Sequence, residues 1–315
     1  MDNLKIGFIG AGGFARHTLY PALHLAPVAL QAVCDADEGR RLSAAGKFGT
    51  GRSYADWREM CGEEDIEALI ICMGPDARQG LVKDALAAGY HVFTPKPPAP
   101  SLADTIELAE AAEAAGKTMM VNFQRRFSVG ARQAKAISET PEFGGLSQIF
   151  CSFCSGKYGS VHHYLLDFAI HHFDLIRRLA GEPKTIASFG NERHGQGSFA
   201  VSMEFENGAV GLMQLNSQRL WRRNYDRIEM TGHESYIVLD GLWTISHYTA
   251  GGNTFTENYS DERNSELTGD SVSLTEFVRA VREEREPQCS IQDCVKTMRL
   301  YDAVLSRRRG LIEIG

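Results

Sequence analysis

The chain has 315 residues, of which 43% are hydrophobic and 23% charged, and it carries a net charge of −7. This length and composition suit two soluble domains that bury a core without disulfides or metal, and the acidic balance argues against broad nucleic-acid or anionic-membrane binding. The opening MDNLKIGFIG lacks the basic and apolar regions of a secretory signal, no apolar window is long enough for a bilayer, and seven irregularly spaced cysteines read as free thiols in a reducing cytoplasm.

Through residue 121 the pattern alternates strand and helix. LKIGFIG (4–10), ALQAVCD (29–35), EALIICM (67–73), YHVFTP (90–95) and KTMMVNF (117–123) read as short buried strands. Between them, DARQGLVKDALAAG (76–89) and SLADTIELAEAAEAAG (101–116) read as helices, the second with a Ser N-cap and a Gly at its end. Buried strands alternating with helices predict a doubly wound parallel sheet, a Rossmann domain over residues 1–122. An amphipathic segment (128–139), a strand (146–155) and a His-bearing helix (163–180) follow. Six strand patterns then run in succession from residue 184 to 248, before helices at 271–285 and 290–308. Strands without intervening helices predict a mostly antiparallel open sheet, so residues 123–315 are expected to form an α+β domain.

GAGGFA (10–15) fits G-x-G-x-x-A between the first strand and its helix, and Asp35 ends the next strand 20 residues beyond Ala15. Gly10 allows the tight turn, Gly12 lets the backbone approach a pyrophosphate, and Ala15 permits close helix–strand packing. Asp35 can accept from the adenosine ribose hydroxyls and would repel a 2′-phosphate, which favours NAD. The nearby Arg40 and Arg41 keep NADP as the alternative, unless they belong to a solvated helix face.

TPKPP (94–98) places Lys96 at the carboxyl end of a strand, where open α/β sheets bind ligands, although on position alone an exposed surface lysine is the better reading. An X–Pro bond in such a loop can be cis. In DFAIHHFDLI (167–176), a wheel at roughly 100° per residue sets His163, Asp167, His171, Asp174 and Arg178 in one polar stripe between apolar arcs. Asp167 and His171, at i and i+4, are expected to meet, and His172 lies off the stripe as a structural residue. Three readings compete: a histidine held by aspartates as a packing device, a metal site of His163, Asp167 and His171, or an acid–base site with His171 as base and Asp167 as its orienting group. A preceding dinucleotide domain favours the last, because hydride removal from an alcohol needs an acceptor for the hydroxyl proton. No metal is expected. Cys151-x-x-Cys154 lies on a strand, where residues three apart point to opposite faces, so a zinc half-site is disfavoured.

These motifs resemble the Gfo/Idh/MocA oxidoreductases, which include inositol and other sugar dehydrogenases, over nearly the whole chain. GAGGFA with Asp35 is similar to the family's NAD site, TPKPPAPSLAD to its Glu-Lys-Pro loop, DFAIHHFDLI to its Asp-x-x-x-His element, and NFQRRF (122–127) to the segment after its last Rossmann strand. The resemblance implies catalytic Lys96, Asp167 and His171. It implies cofactor contacts at Gly10, Gly12, Gly13, Phe14, Ala15, Asp35, Pro75 and Lys96, and substrate contacts at Lys96, Asp167 and His171. Arg125, Arg126, Tyr158, Trp221, Arg222, Arg223 and Tyr225 are candidate polyol contacts, each read equally well as a surface or core group. The chain departs from the family at Pro95, in place of a glutamate, and in GPDARQ (74–79), where Asp76 and Gln79 replace an asparagine and a histidine. The expected activity is transfer of a hydride between a sugar or cyclic polyol hydroxyl and NAD, with either His171 or Lys96 as the immediate proton acceptor. The alternatives are a glycosidase that retains NAD and a nucleotide-sensing regulator without chemistry. The resemblance also implies a homodimer or homotetramer that closes the open sheet.

Overall fold

Six apolar segments form the first sheet: β1 (Leu4–Ile9), β2 (Val28–Cys34), β3 (Ser53–Tyr54), β4 (Ala68–Ile71), β5 (His91–Pro95) and β6 (Met119–Asn122). The computed structural model describes residues 2–221, 225–241, 243–258 and 265–312. The sheet order is β3-β2-β1-β4-β5-β6, and each adjacent pair is parallel. Every residue of β4 and β6 is buried, as expected of strands covered on both faces. The helices between them start and stop on local signals. Asp37 and Ser101 accept backbone N–H groups at the N-caps of Glu38–Phe48 and Leu102–Ala115. Gly49 and Gly116, both in the left-handed region, end the same helices.

The chain groups into two compact units. Residues 1–124 and 269–295 form the first, and residues 125–268 and 296–315 the second. The chain passes between the units at 124/125, 268/269 and 295/296. Aromatic packing and a backbone hydrogen bond hold residues 269–295 in the first unit. Helix Asp270–Arg282 sets Phe277 against Phe93 of β5 with ring centroids 5.4 Å apart, and Val121 of β6 donates its N–H to Cys289 O at 3.0 Å.

The second unit holds a nine-stranded sheet: β7 (Gln148–Cys154), β8 (Pro183–Arg193), β9 (Gln196–Phe205), β10 (Val210–Asn216), β11 (Tyr225–Thr231), β12 (Ser235–Asp240), β13 (Thr244–Thr249), β14 (Gly252–Asn258) and β15 (Arg309–Leu311). Its order is β14-β13-β12-β11-β7-β10-β9-β8-β15, with β7 and β10 the parallel pair in an otherwise antiparallel ladder. β14 and β15 extend the sheet beyond the six later strands read from the sequence. β9 and β10 alternate buried and exposed residues, so one face is covered and the other carries half-exposed apolar groups such as Phe189, Val210 and Leu212.

The His-bearing helix departs from the uniform wheel. It runs as Val161–His163, a π-helical stretch Tyr164–Ala169, and Ile170–Ala180. Ile170 donates its N–H to Leu165 O, five residues back. One extra residue per turn rotates everything beyond it, so a constant 100° step does not carry a single stripe from His163 to Arg178. No described helix is long and apolar enough to cross a membrane.

Candidate active site

The glycine turn lies where β1 and β4 part to opposite sides of the sheet order, the switch point at which open α/β sheets bind ligands. Gly10 has φ +98°, and a Cβ there would sit 2.3 Å from Cys72 O, so the position admits only glycine. A Cβ on Gly12 or Gly13 would meet nothing within 4 Å, which leaves the outer side of the turn open. Beyond it the backbone enters a helix with a π-helical segment, Ala15–Leu19. Asp35 Oδ2 accepts the N–H of Ala11 at 2.7 Å, and its Oδ1 accepts the N–H of Asp37 at 2.9 Å. The half-buried carboxylate thus stiffens the turn and keeps lone pairs for a ligand. Arg40 pairs with Asp37 at 3.7 Å and Arg41 with Glu38 at 3.7 Å, so both arginines have acidic neighbours on their own helix. A bare glycine cradle, a helix N-terminus and a ribose acceptor fit a dinucleotide.

Lys96 is half-buried just past β5, and its bond to Pro97 is cis. Two buried ties brace this edge. Thr94 Oγ1 donates to Ile71 O at 3.0 Å, joining β5 to β4. Arg78 donates from Nη1 to Met73 O at 2.9 Å and from Nη2 to Pro98 O at 3.3 Å. Pro75 is the first residue of helix Pro75–Ala87, with Gly74 as its N-cap. The two departures in this segment have distinct fates. Asp76 is exposed in the first helical turn, where its charge suits the helix dipole. Gln79 donates to Asp104 Oδ1 at 2.9 Å, while Asp104 Oδ2 accepts from Ser101 at 2.6 Å, so Gln79 joins this helix to the N-cap of the next.

In the second unit, Tyr158 OH donates to Asp167 Oδ2 at 3.2 Å. Gln196 holds the Tyr158 backbone from both sides, accepting its N–H at 2.8 Å and donating to its carbonyl at 2.9 Å. Burial, then the Asp167 carboxylate, push the Tyr158 phenol well above its usual value, so it stays a proton donor. Trp221 packs against Gly156, where a Cβ would sit 2.4 Å from the indole. Its ring centroid is 5.3 Å from that of Tyr158, and its Nε1 donates to Lys157 O at 3.3 Å. Arg222 and Arg223 lie outside the described residues, as does the side chain of Tyr225.

His171 is buried, 8% exposed, while Asp167 is half-buried. The remaining members of the expected stripe diverge. His163 is exposed. Asp174 is fully buried and accepts a two-pronged bond from Arg126, both contacts at 2.6 Å. Asp174 therefore belongs to an internal ion pair and not to an open edge. Arg126, a candidate polyol contact, is 7% exposed and makes this pair. Arg125 caps the neighbouring network: its Nη1 reaches Asp226 Oδ2, and its guanidinium lies 4.6 Å from the Phe153 ring centroid. His172 is fully buried, stacked on Phe153 at 3.7 Å, with Nε2 2.9 Å from Asp226 Oδ1. Burial would raise the Asp226 carboxyl, but Arg125 and His172 outweigh it and hold it below the usual carboxylate range. Burial lowers His172, so its ring is neutral near pH 7. These pairs, between residues 48 to 101 positions apart, carry no signal in local sequence.

Cys151 and Cys154 are buried free thiols. Among the described residues, no group of three or more His, Cys, Asp or Glu is placed to hold a metal.

A Rossmann unit with an open glycine turn braced by a carboxylate, followed by an α+β unit with an open sheet, defines a two-domain nicotinamide-dependent oxidoreductase. The chain belongs to the Gfo/Idh/MocA oxidoreductase family: the family's NAD-binding Rossmann fold matches residues 4–123 and its C-terminal α/β domain residues 163–310. It is 26% identical over 334 residues to D-apiose dehydrogenase of Paraburkholderia graminis, covering 98% of this chain and 89% of that one. It is 26% identical over 257 residues to myo-inositol 2-dehydrogenase of Thermotoga maritima, covering 76% of each. Its fold matches levoglucosan dehydrogenase, solved with NADH and L-sorbose, with a TM-score of 0.85 at 19% identity over 98% of this chain and 97% of that one.

Proposed function

We propose that this oxidoreductase acts on a ring hydroxyl of a sugar or cyclic polyol, with NAD in preference to NADP. The observation that carries the reading is Asp35, hydrogen-bonded to the glycine turn it faces, in a chain whose relatives include an apiose and an inositol dehydrogenase. When bound, NAD supplies the hydride acceptor. His171 accepts the hydroxyl proton as that carbon is oxidised. Lys96 donates a hydrogen bond to the same oxygen, stabilises its developing negative charge and serves in the proton relay. Asp167 orients the relay, and its bond to Tyr158 supports that role by restraining the carboxylate. Tyr158 and Arg125 stand as substrate contacts, and the half-exposed Trp221 offers an aromatic face beside Tyr158. The half-exposed apolar residues of β8 and β10 support a homo-oligomer that covers this sheet face, testable by light scattering.

Incubation with NAD and a panel of aldoses, ketoses, anhydrosugars and inositols, read at the NADH absorbance, tests the activity. Net NADH formation with one of them is expected. Sugar release without net NADH would replace the dehydrogenase reading with that of a glycosidase that retains its cofactor.

A further inference from the structure

Arg78 is 1% exposed, and among the described residues its recorded partners are two backbone carbonyls and no carboxylate. Its Nε has no hydrogen-bond partner. Burial pushes the guanidinium down to about 10, which still leaves it charged at neutral pH. A buried cation without a counter-charge costs stability, and an apolar side chain of similar size would cost less. The helix presents Arg78 on its buried face with Val82, Ala85 and Leu86, where a leucine would complete the apolar row. Packing alone therefore does not explain an arginine.

Its two bonds do. Met73 lies in the turn after β4, and Pro98 lies in the loop after β5, two residues beyond Lys96. β4 and β5 are adjacent and parallel, so these two loops emerge side by side at the carboxyl edge of the sheet. The strands themselves are already joined by their ladder and by Thr94. Arg78 adds a tie between the loops, with a planar fork that can serve both carbonyls at once.

We infer that Arg78 is a positioning residue for Lys96: it fixes the 96–98 loop against the 72–74 turn and so sets where the Lys96 amine is delivered. The inference rests on the reading of Lys96 as the group that acts on the substrate oxygen. Arg78 touches no reacting atom. Its effect runs through loop geometry, and a misplacement of about 1 Å can cost 10²-fold in rate.

The test uses the full-length protein with Arg78→Leu, Arg78→Met and Arg78→Lys. Two measurements need no substrate: NAD affinity, and the ¹³C-dimethyl signal of Lys96 after reductive methylation, assigned by its loss in Lys96→Arg. Arg78→Leu is expected to keep its melting temperature, to change NAD affinity by less than about threefold, and to shift or broaden the Lys96 signal. With the substrate, its kcat should fall roughly 10–100-fold with a smaller change in KM, and Arg78→Lys should recover part of that loss. In a Lys96→Ala background Arg78→Leu should cost little more, because the two residues then share one effect. A folded Arg78→Leu protein with an unaltered Lys96 signal and unaltered kcat overturns the inference. So does an equal loss with and without Lys96. If Arg78→Leu does not fold, Arg78→Met, which likewise cannot donate to either carbonyl, decides: an unaltered Lys96 signal overturns the inference and a displaced one supports it. If Lys96→Ala alone retains full turnover, the role given to Lys96 fails, while the Lys96 signal still reports whether Arg78 holds the loop.

Discussion

Asp35 Oδ2 accepts the backbone N–H of Ala11 at 2.7 Å, so the carboxylate shapes the glycine turn, and on the proposed reading the same group accepts from the adenosine ribose. Its charge opposes a 2′-phosphate, and Arg40 and Arg41 are each matched by a nearby acid, Asp37 and Glu38. kcat/KM should therefore favour NAD over NADP. Asp35→Ser should narrow that gap and weaken NAD binding roughly 10–100-fold, the scale of one or two lost hydrogen bonds to a charged acceptor. Steady-state kinetics with both cofactors checks this. A wild-type preference for NADP would refute the assignment and point to the two arginines as phosphate partners.

Lys96→Ala and His171→Ala should each reduce turnover by roughly 10²–10⁴-fold while NAD affinity changes little. The double variant should lose less than the summed penalties if both residues act on one proton. His172→Ala is the control. It removes the stack on Phe153 and leaves Asp226 with Arg125, so it should destabilise the fold by about 2–4 kcal/mol and spare the turnover of the folded fraction. Loss of turnover in a folded His172→Ala protein, with His171→Ala active, would invert the assignment.

Asp174→Ala should be among the most destabilising single changes in the second unit. It leaves the Arg126 guanidinium buried without its carboxylate, a situation that costs about 3–5 kcal/mol. Urea unfolding measures it. The apolar pair Arg126→Met with Asp174→Leu should recover most of the loss, since neither charge is then stranded. A single variant within about 1 kcal/mol of the parent would show that the pair does not hold the unit together.

Stability should fall on mild acidification. Burial, then the Lys117 charge, push His91 from 6.5 down to about 4, and burial lowers His172 as well. With the folded value below the unfolded one, the unfolded chain takes up the proton first. The contribution of His91 is therefore complete above about pH 6.5 and is lost as the pH falls toward about 4. His91→Asn keeps an acceptor for the Thr118 N–H that His91 Nδ1 binds at 3.1 Å. Its melting temperature should decline less steeply than that of the parent across this window. Parallel declines would rule out His91 as a source.

What the sequence alone determined is what short-range rules govern. Apolar runs bounded by turn residues place β1, β2, β4, β5 and β6 within a few residues, because a strand's burial pattern is written in its own side chains. GAGGFA followed by Asp35 likewise signals its turn, since the steric demand at Gly10 and the reach of Asp35 to Ala11 follow from a strand–turn–helix geometry. The tertiary structure decided the rest. A helical wheel presumes uniform turns, and the π-helical stretch Tyr164–Ala169 breaks that presumption inside the segment that mattered most. The partners of Asp174, His172 and Arg125 come from other elements, and residues 269–295 return to the first unit through Phe277 and Cys289. Such pairings join segments far apart in the chain. Their energy comes from burial and charge matching in three dimensions, which local periodicity does not encode.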